Sequence, residues 1–317
     1  MFKVYQITKD VDPEMVKKYL SSEISFEYRP CTTEEDIIKY CQDGDGIISV
    51  YEPMTEKVMK SLKNLKYICL GSIGYNAVDV KAAKELGIDV STNPTYCVNE
   101  VADHALALSL NLLRGIDKFQ KEVKVKKNWD YTAFGNSFHR ISTLTIGLLG
   151  FGNIAKGVAK RFQAFGAKVL AYDPYISEEI FRELMVEKVE LSKIQEESDL
   201  ISIHLPLTKE TKNFVDQDFL EDCVKSPYLI NVSRGEIVDQ EIIKDALEKG
   251  LIRGIGLDVL DDENPDLESL DFLEEENVLL TPHVAFYSQE SIVEADSNCG
   301  KYVSLYEKDK KEEIPLL

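Results

Sequence analysis

The chain has 317 residues, of which 44% are hydrophobic and 29% charged, and this length predicts two domains of ordinary size. A formal net charge of −19 argues against nucleic acid or an anionic membrane surface as a partner. No apolar run reaches membrane-spanning length and no signal peptide precedes the first strand, so we expect a cytoplasmic protein. The six cysteines are scattered without a C-x-x-C pair, which predicts reduced thiols and no metal site.

The first part of the chain alternates short β-rich runs with charged, amphipathic stretches. The predicted strands are Phe2–Ile7, Ile24–Tyr28, Gly46–Val50, Tyr67–Leu70 and Ile88–Ser91. Helices are predicted at Pro13–Leu20, where proline suits the first turn, and at Glu56–Leu65. Such alternation indicates a parallel sheet covered by helices on both faces.

A long apolar helix is predicted from about Val98 to Val123, followed by a loop over Lys127–Ser142. We expect this helix to pack between or against domains, because it is too apolar to lie exposed. A second series of strands and helices then begins at Leu144. Its predicted strands are Thr145–Leu149, Lys168–Tyr172, Val186–Val189, Leu200–His204, Tyr228–Val232, Gly254–Val259 and Val278–Leu280.

The strand Thr145–Leu149 runs directly into a glycine-rich turn that precedes a helical pattern. The turn is Gly150-Phe151-Gly152-Asn153-Ile154-Ala155, the G-x-G-x-x-A form of the dinucleotide-binding fingerprint. The first glycine permits the tight turn, the second lets the backbone approach a pyrophosphate, and Ala155 supplies the small residue where helix meets strand. The helix N-terminus offers N–H groups to the phosphates.

An acidic residue strengthens this interpretation and favours NAD as the cofactor. Asp173 follows the strand Lys168–Tyr172, where a carboxylate can bind both ribose hydroxyls and would repel the 2′-phosphate of NADP. No arginine follows Asp173 directly; Pro174 and Tyr175 do. The alternative is a doubly wound domain with a plain glycine turn and an ordinary surface aspartate.

Hydride transfer to a carbonyl requires a proton donor at the oxygen, and histidine is the usual choice near neutral pH. His283 and His204 each follow a predicted strand, where ligands bind in open α/β sheets. On the residues alone both stay candidates for the acid, with His283 favoured. His104 lies in the apolar helix, where a core role is the better interpretation, and His139 lies in the loop.

Two further charged groups follow predicted strands. Arg234 comes just after an apolar strand and precedes a glycine, so its guanidinium could bind a substrate carboxylate in a bidentate fork. Asp258 ends another strand, and Glu263 lies in the acidic run beyond it. One of these carboxylates could pair with a histidine and stabilise its charged form, although such a run is more often a solvated face.

These residues together resemble the D-isomer-specific 2-hydroxyacid dehydrogenase family over essentially the whole chain. The motifs, in family order, are Gly71-Ser72-Ile73-Gly74-Tyr75-Asn76, Glu100-Val101-Ala102-Asp103-His104-Ala105, the fingerprint through Tyr172-Asp173-Pro174, His204-Leu205-Pro206-Leu207-Thr208, Asn231–Val238, Leu257-Asp258-Val259 and Thr281-Pro282-His283. Within the family, the chain is similar to the branch that contains the corepressor carboxy-terminal binding protein and its bacterial enzyme relatives.

The resemblance implies a role for each matching residue. Arg234 would bind the substrate carboxylate and carbonyl, His283 would be the general acid/base, and Glu263 would pair with it. Ser72, Ile73 and Gly74 would clamp the substrate carboxylate through their backbone, and Phe286 would lie where the corepressor has a pocket tryptophan. The implied cofactor-binding residues are Gly150, Gly152, Asn153, Ile154, Asp173, His204, Pro206, Ser233 and Asp258.

The resemblance also implies a domain organisation and a function. We expect a flavodoxin-like substrate domain, 1–97 plus 286–317, and a Rossmann NAD domain, 98–285, with the active site in the cleft. The expected function is NAD-dependent interconversion of a small 2-keto acid and its D-2-hydroxy acid by a homodimer. The alternatives are an NAD(H)-sensing, corepressor-like scaffold with little turnover and a relative that acts on formate or phosphite.

Overall fold

The computed structural model describes all residues, 1–317, and the chain divides into two units. The first unit comprises Met1–Cys97 and Tyr287–Leu317, and the second comprises Val98–Phe286. The first unit is therefore built from two separate stretches of chain, between which the second is inserted. Phe286, predicted to begin the return segment of the substrate domain, belongs to the second unit.

The first unit contains a five-stranded parallel sheet in the order β2-β1-β3-β4-β5, a doubly wound order in which strands leave the first in both directions. Its strands are β1 (Phe2–Gln6), β2 (Ile24–Tyr28), β3 (Gly46–Ser49), β4 (Tyr67–Leu70) and β5 (Asp89–Ser91). Its helices are α1 (Pro13–Tyr19), α2 (Glu34–Tyr40), α3 (Glu56–Ser61), α4 (Val80–Leu86) and, from the return segment, α12 (Gln289–Glu307).

Local sequence explains where these helices begin and end. Asp12, Thr33 and Thr55 each accept a backbone N–H from the first turn of the helix that follows, and such caps stabilise a helix by about 1 kcal/mol. Gly87 ends α4 in the left-handed conformation with φ of 72°, which glycine adopts without steric cost. Helix α12 packs against α1 and β4, which joins the return segment to the first unit.

The second unit contains a seven-stranded parallel sheet in the order β12-β11-β10-β9-β6-β7-β8. Its strands are β6 (Thr145–Leu149), β7 (Lys168–Tyr172), β8 (Glu187–Lys188), β9 (Leu200–Ile203), β10 (Tyr228–Asn231), β11 (Gly254–Leu257) and β12 (Val278–Leu280). Its helices are α5 (Val98–Arg114), α6 (Ile116–Lys124), α7 (Asn153–Ala164), α8 (Glu178–Glu183), α9 (Leu191–Glu197), α10 (Gln217–Glu221) and α11 (Ile243–Glu248). Strand order reverses between β6 and β9, which is where open α/β sheets bind ligands.

Each predicted strand is present, with ends that differ by no more than two residues. Strands β3, β4, β9, β10 and β11 are buried at every position, as expected of parallel strands covered on both faces. The fold class predicted from the alternation is therefore confirmed. None of the helices is both long and apolar enough to cross a membrane.

The single helix predicted over Val98–Val123 is wrong, because the chain breaks it into α5 and α6 at Gly115. Gly115 has φ of 59°, a left-handed conformation that an α-helix does not continue through. A Cβ at this position would also overlap the Phe138 ring. Helix α5 packs against α7, β10 and β11 of the second unit, and Gly256 leaves room for the side chain of Leu108.

The first unit contains one carboxyl group whose burial has a measurable consequence. Asp296 on α12 is 3% exposed, and its Oδ2 accepts the backbone N–H of Asp12 at 3.2 Å. Burial raises the pKa of Asp296 from the usual 3.8 to about 6, and the nearby charge of Asp12 adds to the shift. The protonated form is therefore favoured by folding, so this contribution to stability is present at low pH and is lost as the pH rises through about 6.

We predict that Asp296→Asn removes this pH dependence. Relative to the wild type, the variant should gain about 1 kcal/mol in free energy of unfolding between pH 5 and pH 8, because each pKa unit corresponds to ~1.4 kcal/mol. Chemical denaturation of both proteins at the two pH values measures the difference. Asp309→Asn, at an exposed position of the same unit, serves as control and should gain nothing. An equal gain in both variants would contradict the assignment.

Candidate active site

The residues predicted to bind the cofactor and to carry out the chemistry lie along one edge of the seven-stranded sheet. All the strands of this sheet run parallel, so the segments that follow their carboxyl ends meet at the same edge. Across this edge, in sheet order, come His283 after β12, Asp258 and Glu263 after β11, Ser233 and Arg234 after β10, His204 and Pro206 after β9, Gly150 to Ile154 after β6, and Asp173 after β7.

The glycine turn after β6 has the geometry of a phosphate-binding loop. Gly150 has φ of 86°, and a Cβ there would lie 2.8 Å from the carbonyl oxygen of His204, so only glycine fits. Gly152 is the N-cap residue of α7, so the first turn of this helix has no side-chain cap. A Cβ at Gly152 would meet no protein atom within 4 Å. Open space beside uncapped helix N–H groups is what a pyrophosphate requires. Ala155 is fully buried, as its place in the fingerprint demands.

Asp173 links the end of β7 to this turn. Its Oδ2 accepts the backbone N–H of Phe151 at 2.8 Å, and its Oδ1 accepts those of Tyr175 and Ile176 at 2.9 and 3.2 Å. The carboxylate is thereby fixed next to the glycine turn, yet it is only half-buried. A carboxylate has about four acceptor positions, so Asp173 retains capacity for ribose hydroxyls. The turn, the helix N-terminus and this acid together fit NAD.

His204 is neutral at ordinary pH. Its Nε2 pairs with the hydroxyl of Ser202 at 2.9 Å, and burial lowers the pKa of His204 to about 3. A histidine that remains uncharged through the physiological range cannot deliver a proton as imidazolium. The carbonyl of the same residue lies against Gly150, which places His204 beside the glycine turn.

The turn after β10 presents Arg234. The side chain of Asn231 holds this turn, because its Nδ2 donates to the carbonyl of Arg234 at 2.7 Å while its Oδ1 accepts from the backbone and the hydroxyl of Ser233 at 3.1 and 2.9 Å. The guanidinium Nη1 of Arg234 donates to the carbonyl of Ser233 at 2.6 Å. Three residues of one turn are therefore fixed around the base of the Arg234 side chain.

Gly235 allows the Arg234 turn to lie directly against the segment that carries Glu263. A Cβ at Gly235 would overlap the carbonyl group of Leu260 and the backbone nitrogen of Asp261, so the two backbones are in contact. The positive charge of Arg234 is one of the influences that lower the pKa of Glu263. The sequence pointed to Arg234 and Glu263 separately, and Gly235 is the residue that permits their proximity.

His283 and Glu263 form a close pair. Nδ1 of His283 lies 2.8 Å from Oε2 and 3.0 Å from Oε1 of Glu263. The hydrogen bond with His283 is the largest cause of the lowered pKa of Glu263, so the carboxylate stays charged. The imidazole is 22% exposed, and its ring meets the edge of Phe286 at a centroid distance of 6.2 Å. This is the arrangement of an acid/base histidine oriented by a carboxylate.

Hydrogen bonds to the buried carboxylate of Asp258 fix the loop that carries His283. This aspartate is 1% exposed; its Oδ1 accepts the N–H of Val284 and the hydroxyl of Thr281, and its Oδ2 accepts the N–H of Ala285. His104 on α5 contacts the same Thr281 hydroxyl at 2.9 Å. Sequence reasoning did not connect Thr281 and His104 with the site, since 177 positions separate them.

The predicted substrate clamp lies in the first unit, after the carboxyl end of β4. Ser72, Ile73 and Gly74 are half-buried. The hydroxyl of Ser72 donates to the carbonyl of Gly74 at 2.8 Å, and the carbonyl of Ser72 accepts the N–H of Asn93 at 2.9 Å. These contacts fix the loop from within the unit.

No cluster of three or more histidine, cysteine, aspartate or glutamate side chains in the structure could hold a metal ion. All six cysteines are buried, and none of them forms a disulfide.

A doubly wound sheet with a glycine turn at a helix N-terminus, an acid after the next strand and a histidine–carboxylate pair fits a nicotinamide-dependent oxidoreductase. Residues 106–285 match the family model described as "D-isomer specific 2-hydroxyacid dehydrogenase, NAD binding domain". The chain belongs to this family. It is an NAD-dependent oxidoreductase that interconverts 2-keto acids and D-2-hydroxy acids.

Three similar proteins match most of the chain. A glyoxylate reductase of Korarchaeum cryptofilum is 35% identical over 80% of this chain and 77% of its own length. A hydroxypyruvate reductase of Thermotoga maritima is 35% identical over 88% of each. The crystal structure of a D-lactate dehydrogenase from Aquifex aeolicus, complexed with NAD and lactic acid, superposes with a TM-score of 0.89 at 28% identity and covers 98% of this chain and 97% of its own.

We predict that Gly235→Ala impairs the site more than it impairs the fold. The added methyl group must push the Arg234 turn and the Leu260–Asp261 backbone apart, and a displacement of about 1 Å at a catalytic group lowers the rate by ~100-fold. Steady-state kinetics with NADH and a 2-keto acid measures this loss.

The control is Gly87→Ala, which strains a left-handed glycine in the first unit at a cost of ~1–2 kcal/mol in stability and should retain full turnover. If Gly235→Ala loses no more activity than this control, the backbone contact has no role in the site.

Proposed function

We propose that the protein reduces small 2-keto acids to D-2-hydroxy acids, with His283 and Glu263 as the acid/base pair and Arg234 as the group that binds the substrate carboxylate. The observation that carries this proposal is the pairing of His283 with Glu263, with the Arg234 turn packed against the same segment. The pattern supplies an acid, a group that orients it, and a cation for an anionic substrate.

Arg234 overcomes an electrostatic disadvantage of the whole molecule. With a net charge of −19, the protein repels an anionic substrate at long range, so a local cation must bind it. A guanidinium presents two parallel N–H donors to a carboxylate and leaves others for the adjacent carbonyl oxygen. In this role Arg234 would both orient the keto acid and polarise its carbonyl.

His283 would manage the proton. When bound, NAD(H) supplies or accepts the hydride at C2. In reduction, the protonated imidazole of His283 donates its Nε2 proton to the carbonyl oxygen as negative charge develops there, and in oxidation the neutral ring accepts it back. Glu263 binds Nδ1, so Nε2 is the nitrogen that faces the substrate oxygen. The charged carboxylate stabilises the imidazolium before the proton leaves.

The remaining predicted contacts extend this assignment. We propose that the glycine turn from Gly150 to Ile154, with Asp173, binds the pyrophosphate and adenine ribose of NAD, and that His204, Pro206 and Ser233 border the cofactor. Neutral His204 can do so without adding charge. For the substrate, we propose backbone binding by Ser72 to Gly74 and a boundary at Phe286.

The small side chain of the substrate is supported by the names of relatives, which include glyoxylate, hydroxypyruvate and D-lactate enzymes. Glyoxylate and hydroxypyruvate are therefore the first substrates to test. The similarity to the corepressor-containing branch and the cytoplasmic location stay predictions. So does the homodimer, for which the aromatic side chains of Trp129 and Tyr131, 89% and 90% exposed, offer apolar surface for a second copy.

We predict turnover above about 1 s⁻¹, near the lower end of ordinary enzymes, for at least one small 2-keto acid. NADH oxidation followed at 340 nm with glyoxylate, hydroxypyruvate, pyruvate, 2-ketoisocaproate, phenylpyruvate and oxaloacetate measures it. Chiral analysis of the lactate or glycerate formed should find the D isomer. Tight NADH binding without turnover on any of these acids would instead favour the sensing scaffold.

We predict that His283 and His204 differ in how their replacement changes turnover. His283→Ala should lower kcat for keto-acid reduction by at least ~100-fold. His204→Asn should lower kcat far less, because a histidine with a pKa of about 3 is not protonated near neutral pH and cannot be the proton donor. Glu263→Gln tests the pair and should resemble His283→Ala more closely than His204→Asn. Retention of most of the wild-type kcat by His283→Ala would refute the assignment.

A further inference from the structure

We propose that His104 is a positioning residue for the acid/base histidine and acts through Thr281 and Asp258. This inference rests on the proposed role of His283. His104 lies on α5, far from β12 in sequence, and its Nε2 lies 2.9 Å from the hydroxyl of Thr281. The same nitrogen lies 3.5 Å from Oδ1 of Asp258. If α5 only covered the sheet, an apolar side chain would suffice at position 104.

Asp258 is the link between His104 and the catalytic loop. A carboxylate that is 1% exposed is costly unless donors surround it. Its donors are the backbone N–H groups of Val284 at 2.9 Å and Ala285 at 2.8 Å and the hydroxyl of Thr281 at 2.6 Å. All three donor residues belong to the segment that carries His283. The hydrogen bonds that stabilise the buried carboxylate therefore also fix the conformation of this loop.

The direction of the Thr281 hydroxyl assigns the donor. Its single hydrogen points to the nearer and charged acceptor, Oδ1 of Asp258 at 2.6 Å, rather than to the carbonyl of Leu257 at 3.4 Å. The Thr281 oxygen is then an acceptor towards His104, so Nε2 of His104 carries a proton. The chain of donors runs from His104 through Thr281 to Asp258, and each hydrogen bond strengthens the next.

The backbone of His283 explains why this support is needed. His283 has φ of 50°, a conformation that costs a non-glycine residue free energy and persists only where its surroundings impose it. Its N–H donates to the carbonyl of Asp258 at 2.8 Å. Glu263 holds the imidazole through Nδ1, while the hydrogen bonds that Asp258 accepts from the loop hold its backbone. Without His104, the Thr281 oxygen loses its own donor, and the hydrogen bond from the Thr281 hydroxyl to the carboxylate is weakened.

Substitutions at both ends of the donor chain test the proposal. His104→Phe keeps a ring and removes the donor, and we expect kcat for keto-acid reduction to fall by ~10- to 100-fold with KM for NADH and keto acid changed less than about threefold. His104→Gln, whose amide nitrogen can occupy the place of Nε2, should restore kcat to within about threefold of the wild type. Thr281→Val should resemble His104→Phe, and Thr281→Ser should resemble the wild type.

The double variant supplies the decisive comparison. If both residues act through one chain, His104→Phe with Thr281→Val should be no worse than Thr281→Val alone, because coupled residues do not add. Additive losses, or a Gln variant as impaired as the Phe variant, would show that His104 acts by packing and would overturn the proposal.

Hydrogen exchange tests positioning independently of turnover. In His104→Phe, the amides of Val284 and Ala285 should exchange at least ~10-fold faster than in the wild type, while the amides of β6 in the same unit stay protected. His104→Gln should leave both sets unchanged. Unchanged exchange in His104→Phe would refute the positioning role. The two proposals can fail separately. If the wild type reduced none of the keto acids but exchange was still faster in His104→Phe, the proposed function would be wrong, whereas the hydrogen-bond chain from His104 through Thr281 to Asp258 would be supported.

Discussion

The active site depends on one constraint, the need to surround the buried carboxylate of Asp258 with hydrogen-bond donors. An ionised group in the interior of a protein is tolerated only when donors compensate for lost water. Here they come from Thr281, Val284 and Ala285, so the chain after β12 must fold back over the end of β11. That path brings His283 to the segment of Glu263 and imposes the left-handed backbone of the histidine. The placement of His283 beside Glu263 therefore follows from the burial of the Asp258 carboxylate.

The order of strands separates two tasks along a single sheet edge. Strands β6 and β7 carry the glycine turn and Asp173, whereas β10, β11 and β12 carry Arg234, Glu263 and His283. Strand β9 lies between them and contributes neutral His204. A dinucleotide has a phosphate-rich body and a reactive end, and in the proposed assignment this strand order provides separate surroundings for each. Burial keeps the imidazole of His204 uncharged, so the sheet contributes no positive charge at this point.

Sequence reasoning predicted the features that depend on neighbours in the chain. Strand runs, the glycine turn and the acid after β7 are local patterns, and β4, β6, β7 and β12 have the predicted bounds. The break at Gly115 was not predicted, because the apolar pattern continues across it and a glycine within a helical pattern does not by itself reveal its left-handed backbone. His104 was taken for a core histidine, since an apolar helix gives no sign that its one imidazole meets a threonine beyond β12. The sequence offered a signal for Thr281, because this residue directly precedes Pro282 and His283.

The insertion of one unit between two stretches of the other bears on how the chain is made. Strands β1 to β5 leave the ribosome before the second unit, yet α12, which packs on α1 and β4, and the bridge from Ser91 to Leu316 come only after it. The nucleotide-binding unit is contiguous and can fold as soon as Phe286 has emerged. Domains usually fold in order of synthesis, but here the unit synthesised first is completed last. The apolar sheet face of the first unit is therefore covered only after the whole second unit has been synthesised.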